Sequence, residues 1–315
     1  LVKGDSARIC SCDITEVHSF HDGFSLNDRT RAFLKVQDGC DYSCSFCTIP
    51  MARGKSRSDS IDHVLENVRR LAANGIQEIV LTGVNLGDFG YKLSDKAQDT
   101  DKRKAENFYE LTQALDRMAE MPRFRISSIE PNLLTNDIIE LVANSDRFMP
   151  HFHIPLQSGS NKILGMMRRR YKRELYADRV ARIKTLMPHA AIGADVIVGF
   201  PGETEEDFKE TFDFLHAIDV SYLHVFTYSE RDNTRALEIK PVIPVSIRNE
   251  RNKILRNLSF QKLQYFTALH SGQTRKVLFE RSKSQDMMEG YSDNYIKVTT
   301  PYRSEWANRI VDWRL

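Results

Sequence analysis

Three cysteines fall within eight residues of one another in Gln37-Asp38-Gly39-Cys40-Asp41-Tyr42-Ser43-Cys44-Ser45-Phe46-Cys47. This C-x3-C-x2-C run constrains the chain more than any other feature, because a short loop gathers three sulfurs at little closure entropy. Iron–sulfur clusters take soft ligands, usually four thiolates. Only three are offered here, and the sequence holds just two further cysteines, Cys10 and Cys12. A [4Fe-4S] cluster held by Cys40, Cys44 and Cys47 keeps one iron open for another ligand. Zinc is an alternative, but structural zinc closes with a fourth Cys or His, typically from a second pair, and none is evident. A disulfide would leave an odd thiol, and nothing resembles a signal peptide. Plain reduced thiols are the remaining alternative.

The chain has 315 residues, 41% hydrophobic and 28% charged, enough for a substantial core and more than one domain. No apolar run approaches the roughly 20 residues that span a bilayer, so no membrane partner is expected. Five cysteines in this length do not make a disulfide scaffold, and a cytoplasmic setting suits a low-potential cluster. Net charge is only +2, so partners are not legible from the total. Locally, Met166–Lys184 carries eight basic residues against two acidic ones. The sequence begins at Leu1 rather than Met, which leads us to expect a piece of a longer protein.

Apolar runs alternate with amphipathic helical stretches after a polar lead-in over residues 1–28. Strands are expected at Ala32–Val36, Ile79–Leu81, Phe124–Ser127, Phe152–Pro155, Ile192–Val198 and Tyr222–Thr227. Helices are expected near Ile61–Ala73, Phe108–Met121, Asn136–Ala143, Arg173–Met187, Glu203–Ala217 and Ile247–Leu269. A charged insertion, Lys92–Lys104, interrupts the second unit. Six βα units imply an α/β fold with a parallel sheet and right-handed crossovers, laid out as a partial (βα)6 barrel with its site at the carboxyl ends of the strands. A doubly wound open sheet is the alternative that periodicity does not separate. The core is read as residues 29–270. Over 271–315, Arg275–Phe279, Tyr295–Thr299 and Arg309–Trp313 read as short strands of a small β-module.

Further candidates sit at strand ends. Gly83 and Gly87 in Leu81-Thr82-Gly83-Val84-Asn85-Leu86-Gly87 would admit close approach of a ligand to the backbone, or simply form a turn. Ser128 and Glu130 lie near the mouth, where Glu130 could instead cap the next loop. Alternation puts His151 and His153 on one face of their strand, more in the manner of hydrogen-bonded barrel histidines than of metal ligands. Gln157 and Ser158 follow on a loop. Arg168, Arg169, Arg170, Tyr171, Lys172 and Arg173 could neutralise phosphates and stack a base, could form a solvated helix start, or could lend one arginine to a carboxylate. Asp195 faces either the mouth or the sheet. Thr204 with Asp207 reads as a capping box, and the adjoining Gly-Pro-Gly turn lacks the Lys-Ser/Thr of a P-loop.

The cysteine loop with Phe46 resembles that of the radical S-adenosylmethionine (SAM) superfamily. Thr30–Cys40, Ala52–Ser58, Thr82–Asn85, Pro155–Ser160 and Val198–Thr204 together resemble the radical SAM methylthiotransferases over about residues 29–270. Gly290–Val298 resembles that family's C-terminal TRAM domain, a small RNA-binding β-module. Within the family the likeness is greatest to the branch acting on N6-threonylcarbamoyladenosine beside the tRNA anticodon. Other branches modify isopentenyladenosine in tRNA or a ribosomal-protein aspartate. An RNA-binding module without SAM chemistry is the non-enzymatic reading.

The resemblance implies that Cys40, Cys44 and Cys47 hold a [4Fe-4S] cluster whose open iron chelates SAM. It implies SAM contacts from Gly83, Asn85, Ser128, Glu130, Gln157 and Asp195, with Asn85 toward the amino group. It also implies tRNA at the anticodon loop as partner, and an electron donor such as flavodoxin or ferredoxin. One SAM would methylate a sulfur on a second [4Fe-4S] cluster. Another would yield the 5′-deoxyadenosyl radical that takes the hydrogen from C2 of the adenine. In the family the second cluster belongs to an N-terminal domain that precedes the barrel, and no such domain is in this sequence. Residues 1–28 then read as a connecting segment, with Cys10 and Cys12 as ordinary thiols. Such a piece would bind SAM without inserting sulfur.

Overall fold

The computed structural model describes residues 14–17, 19–25, 30–90, 106–280 and 286–315. Cys10, Cys12 and the insertion Lys92–Lys104 lie outside them. A short antiparallel strand, β1 (Gly23–Phe24), pairs with β2 (Ala32–Lys35), so part of the expected lead-in is built into a sheet edge. A two-residue hairpin of β3 (Gln37–Asp38) and β4 (Arg57–Ser58) closes the cysteine loop and encloses α1 (Ile49–Arg53).

Then come α2 (Ile61–Ala73), β5 (Glu78–Thr82), α3 (Phe108–Asp116), β6 (Arg123–Ile126), α4 (Asn136–Asn144) and β7 (His151–His153). They are followed by α5 (Asn161–Met166), α6 (Arg173–Leu186), β8 (Ala191–Val198), α7 (Glu205–Ala217), β9 (Tyr222–Thr227) and α8 (Val245–Leu269). Helix starts follow local chemistry. Ser60 Oγ accepts from His63 N at the head of α2, and Thr204 and Asp207 form the expected capping box on α7. Gly75, at φ +78°, follows the end of α2 in the left-handed conformation.

β2, β5 and β6 form one parallel ladder, and β7, β8 and β9 another. Phe124 joins them: its N–H donates to Arg147 O at 2.8 Å, and its carbonyl accepts from Met149 N at 2.9 Å. The six strands therefore neighbour one another in chain order. Among the described residues no ladder links β9 back to β2. On β8, Ile192, Ala194, Val196 and Val198 are wholly buried against the helices. Burying each of the Ile and Val side chains contributes roughly 1.5–3 kcal/mol. Gly193, Asp195 and Ile197 take the opposite, inner face, and a Cβ on Gly193 would meet the Tyr222 ring at 2.4 Å.

Beyond α8, β10 (Thr274–Phe279), β11 (Met287–Ser292), β12 (Lys297–Pro301) and β13 (Ile310–Arg314) form an antiparallel sheet in the order β12-β11-β10-β13. β11 was not expected from sequence, and Tyr295 lies in the turn before β12 rather than in a strand. This sheet docks on the amino ends of the parallel strands. Arg123 Nη2 donates to Lys276 O at 2.7 Å, Arg125 Nη1 to Asp293 O at 3.2 Å, and Asn294 Nδ2 to His189 O at 3.1 Å. Arg123 and Arg125 meet buried Glu78, and Tyr295 stacks on His151 with ring centroids 4.1 Å apart. The carboxyl ends of the strands face the other way.

Candidate cofactor site at the cysteine loop

The loop after β2 is positioned by backbone geometry that side chains would block. Gly39 has φ +71°, and a Cβ there would lie 2.0 Å from Lys55 O. Cys40 N donates to Gly54 O at 3.1 Å, and Ser45 N to Met167 O at 3.1 Å. Asp38 fixes the base of the loop by ion pairs with Lys35, Arg53 and Arg57. Cys40, Cys44 and Cys47 are free thiols, each partly buried.

Among the described residues each sulfur has one N–H donor. Tyr42 N lies 3.4 Å from Cys40 Sγ, Ile49 N 3.4 Å from Cys47 Sγ, and Arg169 Nη1 3.2 Å from Cys44 Sγ. Donors so placed favour a sulfur that carries negative charge. Without a partner ion, burial pushes the Cys40 thiol up to about 12 and the Cys44 thiol upward too. A bound cation or cluster is what would make three thiolates stable in this loop.

Arg169 leaves the basic run to enter this site. Its side chain is 4% exposed; one nitrogen meets Cys44, another pairs with Glu130, and Nε donates to Tyr171 Oη at 3.2 Å. Burial opposes its charge, but Tyr171, Glu130 and Cys44 raise its pKa. Glu130, expected at the mouth, is there; its carbonyl also accepts from Leu133 N and Leu134 N, at 2.9 Å each.

The structure places the other candidates among protein partners of their own. Asn85 is buried, donating to Asp88 Oδ2 at 2.6 Å, while its own N–H goes to Gln37 Oε1 at 2.8 Å; its Oδ1 is buried without a described partner. A Cβ at Gly83 would meet Gln37 and Leu86, and one at Gly87 would meet Leu133, so neither position accepts a larger residue without a shift of its neighbours. Ser158 is fully buried against Thr211. Tyr171 is 6% exposed, its hydroxyl shared by Pro155 O and Leu156 O, so it offers no face to a base. Arg168 sits at φ +59°, and from it the chain alternates: Arg168, Arg170 and Lys172 are exposed while Arg169 and Tyr171 turn inward. Arg173 is held by Gly159 O, Glu174 and Glu210.

Ser128 is half-buried beside Glu130. Gln157, at φ +70°, lines a cavity of about 310 Å³ with Phe46, Asp195, Ile197, Phe226 and Tyr228. The cavity therefore runs from the residue before Cys47 to the inner face of β8. His153 Nε2 lies 3.0 Å from Asp195 Oδ1, and His224 Nδ1 3.7 Å from the same oxygen. His224 and Phe226 were missed in sequence. The signal was period-two alternation with Tyr222 along β9, which sets all three on one face.

A model of the radical SAM superfamily matches residues 34–215, which include the cysteine loop, β5 to β8 and most of α7. The chain belongs to the radical SAM superfamily. It is 39% identical over 292 residues to the threonylcarbamoyladenosine tRNA methylthiotransferase MtaB of Bacillus subtilis, covering 91% of this chain and 62% of that protein. It is 33% identical over 287 residues to the tRNA-2-methylthio-N(6)-dimethylallyladenosine synthase of Staphylococcus aureus, covering 90% and 54% respectively. The chain thus spans less than two thirds of the length of these relatives. A solved radical SAM methyltransferase, TsrM from Kitasatospora setae, superposes with TM-score 0.51 at 18% identity, covering 62% of this chain and 35% of that one. That likeness speaks for the fold alone.

As a radical SAM protein the chain takes a [4Fe-4S] cluster and SAM as cofactors. The donor set fits: three soft sulfurs on one loop, each with an N–H donor, at the carboxyl end of a parallel strand. Among the described residues no helix is long and apolar enough to cross a membrane.

Proposed function

We propose that this chain is the radical SAM core, with a C-terminal RNA-binding module, of a tRNA methylthiotransferase that modifies C2 of N6-threonylcarbamoyladenosine next to the anticodon. The observation that carries this is the 39% identity to MtaB over 91% of the chain, joined to the three-cysteine loop. The identity is lower, 33%, to the relative named for dimethylallyladenosine. The six-stranded arc is taken as a partial (βα)6 barrel of residues 29–270, open between β9 and β2. The sheet of 271–315 is taken as TRAM-like.

Cys40, Cys44 and Cys47 would hold the [4Fe-4S] cluster, which would supply one-electron reduction of SAM and so the radical chemistry that an unactivated carbon needs. This chain's residues do the rest by position. Arg169 sets a positive charge at Cys44 and pairs with the part-buried Glu130. Phe46, Ile197, Phe226 and Tyr228 give the cavity at Gln157 an apolar lining. Gln157, Ser128 and Asp195 supply polar groups for SAM or substrate. Arg168, Arg170 and Lys172 stand exposed near the same mouth to meet phosphates. A flavodoxin or ferredoxin would deliver the electron, in the cytoplasm.

The test is the mass of tRNA nucleosides from cells lacking the full-length parent, with and without its restoration. Conversion of threonylcarbamoyladenosine to its methylthio form supports the proposal. A methylthio group on isopentenyladenosine instead keeps the family and refutes the substrate. No change in any tRNA nucleoside turns the reading toward a protein substrate.

A further inference from the structure

The inner faces of β7, β8 and β9 bring together three polar side chains that the cluster does not use. One nitrogen of His153, one of His224 and a carboxylate oxygen of Asp195 all lie within 4.8 Å of one another. The two imidazole centroids are 5.3 Å apart. Both imidazoles approach the same oxygen, Oδ1, so Asp195 Oδ2 and His224 Nε2 have no described partner. The side chains are 14%, 23% and 54% exposed, from His153 to Asp195 to His224. Phe226, half exposed, lines the cavity with Asp195 one alternation further along β9. A barrel wall built only for packing fills with branched aliphatics, as the outer face of β8 does.

We propose that His153, Asp195 and His224 form the recognition site for a polar, carboxylate-bearing N6 substituent of the substrate adenine, with Phe226 against the base. The inference rests on the methylthiotransferase reading and deepens it. A threonylcarbamoyl group carries a carboxylate, a hydroxyl and urea N–H groups. Imidazole N–H donors suit the carboxylate, and Asp195 suits the hydroxyl or N–H donors. A dimethylallyl group offers none of these. It would cover the three side chains and leave them unpaired, and a site built for hydrogen bonds rejects such an analogue strongly. The same cavity reaches Phe46, beside Cys47, so a base held there stands next to the cofactors.

The test compares kcat/KM of the full-length enzyme on two anticodon stem-loop RNAs that differ only in a threonylcarbamoyl or dimethylallyl group at N6. His224 is more than half exposed, so its replacement leaves the core intact; circular dichroism and iron content check this. Wild type should favour the threonylcarbamoyl RNA. His224→Phe should cut that preference about ten- to a hundredfold, chiefly through KM, and His224→Gln, which keeps an N–H donor, should restore part of it. A fall in both RNAs by the same factor would overturn the proposal, since a merely structural role leaves the ratio unmoved. So would one equivalent of zinc held beyond the cluster iron by wild type and lost in His224→Phe, which marks a cation site. A wild type that prefers the dimethylallyl RNA refutes the substrate reading itself, before any variant is made.

Discussion

Arg169 and Cys44 are 125 residues apart in the chain, and Arg169 Nη1 lies 3.2 Å from Cys44 Sγ. The same guanidinium pairs with Glu130, whose side chain is only 15% exposed. Arg169→Met therefore removes a donor from a cluster ligand and strands a buried carboxylate. Breaking a buried pair from one side costs about 3–5 kcal/mol. Chemical denaturation should show a loss of that order, with less iron retained after reconstitution. A denaturation midpoint equal to wild type, with full iron, would refute the role assigned to this arginine.

Glu78 is 1% exposed and faces Arg125, Arg123 and Arg31. Burial opposes its charge, but those three arginines hold its carboxyl below the usual range. Its contribution is thus present above the unfolded-state carboxylate pKa and lost only as pH falls through the lower folded value. Glu78→Gln should cost about 3–5 kcal/mol. It should also loosen the C-terminal sheet, because Arg125 ties Glu78 to Asp293 O and Ser292 O. Hydrogen exchange over residues 286–301 should rise more than exchange in β8; equal change in both would contradict this.

His151 is buried under Tyr295, and its Nδ1 has no hydrogen-bond partner among the described residues. Burial, then the charge of Arg125, holds it well below the usual imidazole range, so it is neutral when folded. The unfolded chain binds a proton at this residue near pH 6.5, so stability falls as pH drops below that value. The loss is up to about 1.4 kcal/mol per pH unit for one such group. His189 and His224 are also held low by burial and add to the slope. His151→Phe should flatten the stability profile between pH 6.5 and 5, as read by denaturant midpoints; an unaltered slope would contradict the assignment.

Strand and helix order was legible because β8 is an apolar run broken by one charge, Asp195, and α7 carries its capping box in the sequence. The cysteine loop was legible because its spacing alone gathers the sulfurs. Occupied space was not. Gln37 and Leu133 come from elsewhere in the chain to stand where a Cβ at Gly83 and at Gly87 would point. The basic run looked uniform, but the left-handed turn at Arg168 sends alternate residues inward, which spacing without a backbone cannot show. β11 was missed because Met287-Met288-Glu289-Gly290-Tyr291-Ser292 lacks the β-branched residues that mark strands. Its place comes from pairing with β10 and β12.

That alternation narrows the proposed RNA-binding residues to Arg168, Arg170 and Lys172. Glutamine at all three should weaken tRNA binding and lower the salt slope by about one for each phosphate no longer neutralised. Arg170 also lies over the Tyr42 ring at 4.0 Å, so its single replacement should reach the cysteine loop as well. A triple variant with the wild-type salt slope would remove the run from the interface.

The most direct measurement is iron and acid-labile sulfide on this chain after anaerobic reconstitution, with 5′-deoxyadenosine formed from SAM under a strong reductant. The expected result is about four iron and four sulfide per chain and measurable 5′-deoxyadenosine, both lost in Cys44→Ala. A reconstituted chain without the cluster, or one in which Cys44→Ala still forms 5′-deoxyadenosine, would contradict the assignment of the three cysteines.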